Sequence, residues 1–189
     1  LGKTLERTKN IIFDAPIIST NLKYLKEIKK HLKKHKIKKY KIVLEPAKMN
    51  TGPAILSAAL IKDIPDDQPL VILSADHLLE KENIFFKEIK NHRKYLSNKN
   101  IFIFGIKPTA PSSDYGYFIT KKSEKKILKV SKFIEKPSEK KAKLIIKKKG
   151  YWNSGMIFVR KDSLISKYKK LQPIIYKNCL NAVLKSKKN

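Results

Sequence analysis

Arginine is nearly absent from a chain that is otherwise strongly basic: of the 44 lysines and arginines among 189 residues, only Arg7, Arg93 and Arg160 are arginine. Surfaces that read bases or clamp phosphates rely on the planar guanidinium fork, whose paired hydrogen bonds a lysine ammonium cannot reproduce. The formal net charge of +28 therefore does not by itself describe a nucleic-acid reader. It is enough for salt-sensitive adhesion to polyanions, and the lysines are spread through almost every polar segment rather than gathered into a patch. No specific nucleic-acid partner is expected. Cysteine is just as scarce. Cys179 stands alone in a helical pattern, which excludes an internal disulfide, makes the thiol a packing group and points to the cytoplasm. Long apolar runs are missing too. Nothing approaches the roughly 18 residues of a membrane span, and no basic-then-apolar leader with a small-residue cleavage site is recognisable, so no membrane partner is expected.

What is present is a strand–helix rhythm, in a chain long enough for one domain with a sizeable core and 41% hydrophobic. Ala15-Pro-Ile-Ile-Ser-Thr20 reads as a strand. Asn21 would cap a helix with Leu22, Leu25, Ile28 and Leu32 at helical spacing. Its lysine face suits the solvated outer helix of an α/β layer better than a helix lying on an anionic membrane. Lys41-Ile-Val-Leu44 is the next strand, and a helix follows with Gly52 at its cap and Pro53 at its first position. Another helix covers residues 81–96, with Phe85, Phe86, Ile89 and Leu96 inward, before the strand Ile101-Phe-Ile-Phe104, closed by Gly105. Tyr115-Gly-Tyr-Phe-Ile119 and residues 127–134 read as antiparallel strands joined by the polar turn Lys121-Lys-Ser-Glu-Lys-Lys126. Ser138 would cap a helix ending at Gly150. A strand over 156–159 and two lysine-rich helices finish the chain. With no repeat and no linker, the expectation is a single three-layer αβα domain over 1–189 with a mixed, mainly parallel sheet.

Leu70-Val-Ile-Leu-Ser-Ala-Asp-His77 carries the strongest chemical signal. Pro69 opens an apolar run too short for a helix and long enough for a buried strand. Asp76 then falls at its carboxyl end, where open α/β sheets place their ligand crevice. A lone carboxylate there suits a hard cation such as Mg²⁺ held against phosphate oxygens; equally, it suits a cap for the following turn or helix. The turn at Asn50 and Thr51 offers the unpaired N–H groups of a helix start to an anion or a nucleotide edge, or is simply a well-made helix start.

Six blocks in one order resemble the bacterial mannose-1-phosphate guanylyltransferases. They are Leu44-Glu-Pro-Ala-Lys-Met-Asn-Thr-Gly-Pro-Ala54, Leu73-Ser-Ala-Asp-His77, Phe104-Gly-Ile-Lys-Pro-Thr109, Asp114-Tyr-Gly-Tyr117, Phe133-Ile-Glu-Lys-Pro137 and Trp152-Asn-Ser-Gly-Met156. Each is weak alone; their sequence and separations carry the resemblance, which covers essentially the whole chain. It implies the Rossmann-like nucleotidyltransferase fold and the reaction of GTP with mannose-1-phosphate to give GDP-mannose and pyrophosphate. In that light Asp76 is a catalytic, metal-holding and nucleotide-binding residue, with Mg²⁺ as cofactor. Glu45, Asn50, Thr51 and Pro53 resemble the nucleoside-contacting turn. Gly116 would let backbone approach the hexose, with Tyr115 and Tyr117 as walls. Glu135 and Lys136, adjacent on a strand and so on opposite faces, would accept hydrogen bonds from sugar hydroxyls and meet the sugar phosphate, Lys136 in a catalytic role. Asn153 would complete the sugar contacts. Without the ordered set, Glu135-Lys136 is an exposed strand end, the tyrosines are strand aromatics and Asn153-Ser-Gly155 is a turn.

The chain also departs from that family. The glycine-rich loop with its arginine and lysine, which grips the triphosphate, is not found ahead of Leu1-Gly-Lys-Thr-Leu-Glu-Arg-Thr8, and the first strand goes with it. The second metal-binding aspartate is not found either, so the domain is expected to be truncated at both ends. Lys48 and Met49 stand where glycine and arginine are commonest in the family, which leaves the base open and makes other sugar-1-phosphate nucleotidyltransferases the rival within the class. Because phosphoryl transfer is mostly positioning and charge neutralisation, the expectation is a chain that is impaired alone, a gene remnant or the partner of a complementing N-terminal fragment.

Overall fold

Short apolar runs become strands and amphipathic stretches become helices in the order the sequence sets out. The computed structural model describes residues 1–47, 50–121 and 127–186. The order is α1 (Gly2–Arg7), β1 (Ile17–Asn21), α2 (Leu25–Lys34), β2 (Lys41–Glu45), α3 (Thr51–Ala59), β3 (Pro69–Ile72) and α4 (Glu82–His92). There follow β4 (Phe102–Ile106), β5 (Tyr117–Lys121), β6 (Lys129–Ile134), α5 (Glu139–Lys147), β7 (Tyr151–Arg160), α6 (Lys161–Leu171) and α7 (Pro173–Lys185). The class is α/β, and the strands form one parallel two-stranded sheet and a second, larger sheet. The chain divides into two units, Leu1–Ile101 with Phe158–Asn189, and Phe102–Ile157.

In the first unit β1 and β2 run parallel, from Ile17 opposite Lys41 to Asn21 opposite Glu45, with α2 as the crossover that parallel neighbours require. Leu5 of α1 and Ile28 and Leu32 of α2 are buried together, with Ile18 and Ile42 of the two strands against them. The helical spacing of Ile28 and Leu32 is what puts both on one face. Helix α3 packs against β1 and β2 and also against α6 and α7. Lys161 is buried there, and its ammonium donates to the carbonyl of Ile64 at 2.6 Å and pairs with Asp66 at 3.1 Å. A buried ammonium must be bonded in this way to be tolerated, so the start of α6 is fixed against the segment leading into β3.

In the second unit β5 is antiparallel to β6 on one side and to β7 on the other, Tyr117 lying opposite both Ile134 and Trp152. Helix α5 lies over this ladder, burying Ala142 and Ile145 against Tyr117. β4 also pairs with β7, and the Ser154 hydroxyl donates to the Phe104 carbonyl at 2.8 Å.

Several local expectations are corrected. Asn21 caps a single 3-10 turn, Leu22–Tyr24, by accepting from the Lys23 amide, and the α-helix begins only at Leu25. Asn50, not Gly52, precedes α3, and Pro53 is its third residue. β3 is half-buried along its length rather than buried. Gly105 lies inside β4 instead of closing it. Asn153, Ser154 and Gly155 belong to β7, which is far longer than the apolar run 156–159 that announced it. Ser138 precedes α5 without a side-chain capping bond. Residues 122–126 of the polar turn fall outside the described residues, as do Lys48 and Met49.

Helix α1 is tied to α2 by the His35 imidazole, whose Nδ1 lies 2.7 Å from Glu6 Oε1. The Glu6 carboxyl is held below its ordinary value by hydrogen bonds from Lys9 and then His35. Stability from such a depressed acid is complete above the ordinary value of 4.5 and is lost as pH falls through the lower folded value. Glu6→Gln should therefore melt below the parent protein at neutral pH, with the difference in melting temperature closing as the scan is repeated down to acid pH.

Candidate functional site

The residues singled out from the sequence fall into two sets, one in each unit. In the first unit Asp76 does not close β3. It lies in an exposed turn four residues beyond Ile72, and α4 starts only at Glu82 with Lys81 before it. The capping alternative is thereby removed, because among the described residues the Asp76 carboxylate takes part in no hydrogen bond or ion pair. It borders a cavity of about 370 Å³ whose wall also includes Lys3, His31, Lys34 and His77. The Nδ1 of His31 is buried and has no partner among the described residues.

Glu45, at the end of β2, accepts a 2.6 Å hydrogen bond from the Ser19 hydroxyl, and its carbonyl accepts from Asn21 Nδ2 at 2.9 Å. The parallel register that sets Asn21 opposite Glu45 makes both bonds short-range consequences of the sheet. Asn50 holds φ 67° and ψ 177°, a region essentially reserved for glycine that costs about 1–3 kcal/mol and gathers at functional sites. Its side chain is exposed and makes no capping bond to the first N–H groups of α3. Behind them the Gly52 carbonyl accepts from the Tyr168 hydroxyl at 3.1 Å, and Cys179 Sγ lies 3.9 Å from the Pro53 carbonyl. Helices α6 and α7 thus anchor the turn, and burial raises the Tyr168 phenol above its ordinary value. Cys179 is the buried packing thiol the sequence indicated.

The second unit brings Tyr115, Gly116, Glu135 and Asn153 together. The Asn153 amide donates to the Gly116 carbonyl at 2.8 Å. A Cβ built on Gly116 would lie 2.7 Å from Glu135 Oε2 and 2.9 Å from Phe133 Cζ. The missing Cβ is what lets this carboxylate and ring come so close to the backbone. Glu135 and Lys136 are not alternating strand residues. β6 ends at Ile134, and Lys136 turns the chain with φ 40°. Both side chains are exposed. Tyr117 is no wall either: it is fully buried, and its hydroxyl donates to the Ser112 carbonyl and accepts from the Ser112 amide, each at 3.0 Å.

Trp152 carries no role in the sequence reading, although it heads one of the blocks. Its ring lies 4.9 Å from that of Tyr115 and 6.5 Å, edge-on, from that of Tyr117. The indole N–H is buried with no partner among the described residues. Its being the single tryptophan of the chain was the available signal. Thr4 and Arg7 were also missed. They lie on α1, far from Asp76 in sequence, and bond to the main chain on either side of it; no local pattern announces such a contact.

Among the described residues no group of three or more His, Cys, Asp or Glu could hold a metal by itself. The donor set nevertheless suits Mg²⁺, which keeps its waters and takes one or two carboxylates together with substrate phosphates. An exposed, unpartnered Asp76 fits that mode, and does not fit a closed structural site of the zinc kind.

Three comparisons place the chain among known proteins. The family model described as nucleotidyl transferase matches residues 1–189. The mannose-1-phosphate guanylyltransferase of Salmonella montevideo is 34% identical over 187 residues, 95% of this chain and 39% of the relative. The alginate biosynthesis protein AlgA of Pseudomonas fluorescens is 30% identical over 183 residues, 94% of this chain and 38% of that protein. The chain thus spans about two fifths of the length of the curated relatives it matches. Among solved structures, one titled mannose-6-phosphate isomerase, from Helicobacter pylori, aligns with a TM-score of 0.83 at 27% identity, covering 97% of this chain and 70% of that one. UDP-glucose pyrophosphorylase in complex with UDP-glucose aligns at 0.58 and 17% identity, covering 98% of this chain and 74% of that one, which shows the fold alone.

Because Trp152 is the only indole, fluorescence reports on the second unit's cluster alone. Tyr115→Ala should shift the emission maximum to longer wavelength by uncovering one face of the ring, a change read directly from the emission spectrum.

Proposed function

Because the chain belongs to the nucleotidyl transferase family, we propose that it serves guanylyl transfer from GTP to mannose-1-phosphate, giving GDP-mannose and pyrophosphate in the cytoplasm. The observation that carries this reading is the cluster of the second unit. A carboxylate, Glu135, is laid against the backbone of Gly116, whose carbonyl bonds the Asn153 main chain, with the Tyr115 and Trp152 rings tilted at 49° close by. An exposed carboxylate next to aromatic faces is what a polyhydroxylated ring recruits: an acceptor for its hydroxyls and a flat apolar surface for its C–H face, with the half-buried Asn153 alongside. The names of the curated relatives support mannose as the sugar.

Each residue then has a task. Glu135 accepts from sugar hydroxyls, Asn153 contacts the ring, and Tyr115 covers one side with Gly116 at its base. Lys136, thrown outward by its positive φ, meets the sugar phosphate as a point charge. Glu45, Asn50, Thr51 and Pro53 present the strained turn and the start of α3 to the nucleoside. Asp76 holds Mg²⁺, which supplies charge neutralisation at the nucleotide phosphates. Rate enhancement in such transfers comes from positioning and charge, and within each unit these residues supply one or the other. No nucleic acid or membrane enters this reading, and no helix among the described residues is long and apolar enough to cross a membrane.

Titration with mannose-1-phosphate, followed by Trp152 fluorescence at high salt to suppress adhesion of a +28 protein to anions, tests the sugar assignment. Saturable binding is expected. Glu135→Gln should weaken it by about tenfold, the size of one lost charge-assisted hydrogen bond. Asp76→Asn should leave it unchanged and remove the Mg²⁺-dependent part of GTP binding. Equal binding of glucose-1-phosphate, or no effect of Glu135→Gln, would move the reading to another sugar-1-phosphate nucleotidyltransferase.

A further inference from the structure

We propose that Thr4 and Arg7 of α1 are positioning residues for Asp76, gripping the main chain on both sides of it. Thr4 Oγ1 donates to the Ala75 carbonyl at 3.0 Å, and Arg7 Nη2 donates to the His77 carbonyl at 3.4 Å. Arg7 Nε reaches further along the same segment to Glu82 Oε1 at 2.9 Å, at the first residue of α4. One short helix therefore holds the residue before Asp76, the residue after it and the start of the next helix. All these groups belong to the first unit. The metal role of Asp76 is taken from the proposed function; the grip itself does not depend on it.

Burial shows what kind of contact this is. Arg7 is 1% exposed and Thr4 8%, whereas Asp76, the residue they bracket, faces solvent. A guanidinium taken that far out of water is an expensive way to fill space. An apolar side chain of similar volume commonly does as well or better for stability, and here Arg7 Nη1 is left buried with no partner among the described residues. What an apolar residue could not supply is direction. The rigid fork sends one donor to a carbonyl and another to a carboxylate in a fixed relation. With no bond of its own among the described residues, the Asp76 carboxylate is located by its backbone, and the backbone by the two flanking carbonyls. Helix α1 is seated in turn by Leu5 in the core and by Glu6 against His35, so the grip has a fixed base.

Three substitutions separate grip from packing. Thr4→Val keeps the shape and loses the hydroxyl; Thr4→Ser keeps the hydroxyl and loses a methyl; Arg7→Met keeps most of the volume and loses the donors. Two quantities are read: amide hydrogen exchange across residues 75–78, and the affinity for Mn²⁺ with GTP from water-proton relaxation. Thr4→Val and Arg7→Met should each speed exchange in the turn by about tenfold and weaken Mn²⁺ binding by about fivefold. Thr4→Ser should change neither, and melting temperatures should stay close to the parent's. Unchanged exchange in Thr4→Val and Arg7→Met overturns the proposal, as does the reverse pattern in which Ser is damaging and Val harmless. Loosened exchange with unaltered Mn²⁺ affinity overturns the positioning role and leaves only a structural one. If Asp76→Asn binds Mn²⁺ as the parent does, the metal reading of Asp76 falls, and the exchange data still decide the grip.

Discussion

A guanidinium removed from water must keep the bonds it does make, and Arg7, whose Nη1 already has no partner among the described residues, imposes that condition on everything around it. Its partners are the His77 carbonyl and the Glu82 carboxylate. Undocking α1, straightening the turn after β3 or shifting the start of α4 would each strand a buried charge, at a cost well above that of one ordinary hydrogen bond. These three elements therefore move together or not at all. Leu5 extends the same coupling to α2 and, through Ile18 and Ile42, to the parallel pair β1–β2. The exposed aspartate thus sits on a foundation that is polar and directional. Hydrophobic packing alone, which is directionless, would not locate it.

The second unit solves a comparable problem with close approach rather than with charge. Gly116 leaves room for the Glu135 carboxylate and the Phe133 ring against its backbone, and its carbonyl is spoken for by the Asn153 amide. Three stretches distant in sequence, 115–117, 133–136 and 151–153, meet because β5 is the strand shared by β6 and β7. Tyr117 and Trp152 are opposite one another in that ladder, so the aromatic packing under the cluster is a direct product of register.

Most of the elements were legible in the sequence, because apolar periodicity and turn residues report local structure. The alternation of strands with amphipathic helices is found as expected, and Ile28, Leu32, Phe85 and Ile89 are all buried. What was not legible depended on contacts between distant segments. The length of β7 is one case: Trp152-Asn-Ser-Gly reads as a turn by composition, yet pairing with β5 and the Ser154 bond to Phe104 draw it into a strand. The ends of β6 and β3 are another, since both strands stop before the residue of chemical interest and present it from a bend or turn instead. The site residues were legible only as a set of blocks in order, and Arg7, Thr4 and Trp152 not at all as participants. Nothing in a local window distinguishes a buried arginine on a short helix from one more surface cation in a lysine-rich chain.

The backbone of Asn50 has a consequence for any attempt to improve this protein. With φ 67° and ψ 177° it occupies a conformation that glycine adopts freely and asparagine does not. Ranked by thermal tolerance alone, replacement by glycine at position 50 would stand among the most rewarding single changes, because relief of backbone strain raises the melting point without touching the core. It would also delete the amide side chain displayed at the head of α3. If the proposed nucleoside contact of Asn50 holds, optimising this chain for robustness and optimising it for ligand recognition pull in opposite directions at one residue, and libraries screened only by heat would discard the side chain on which that contact depends.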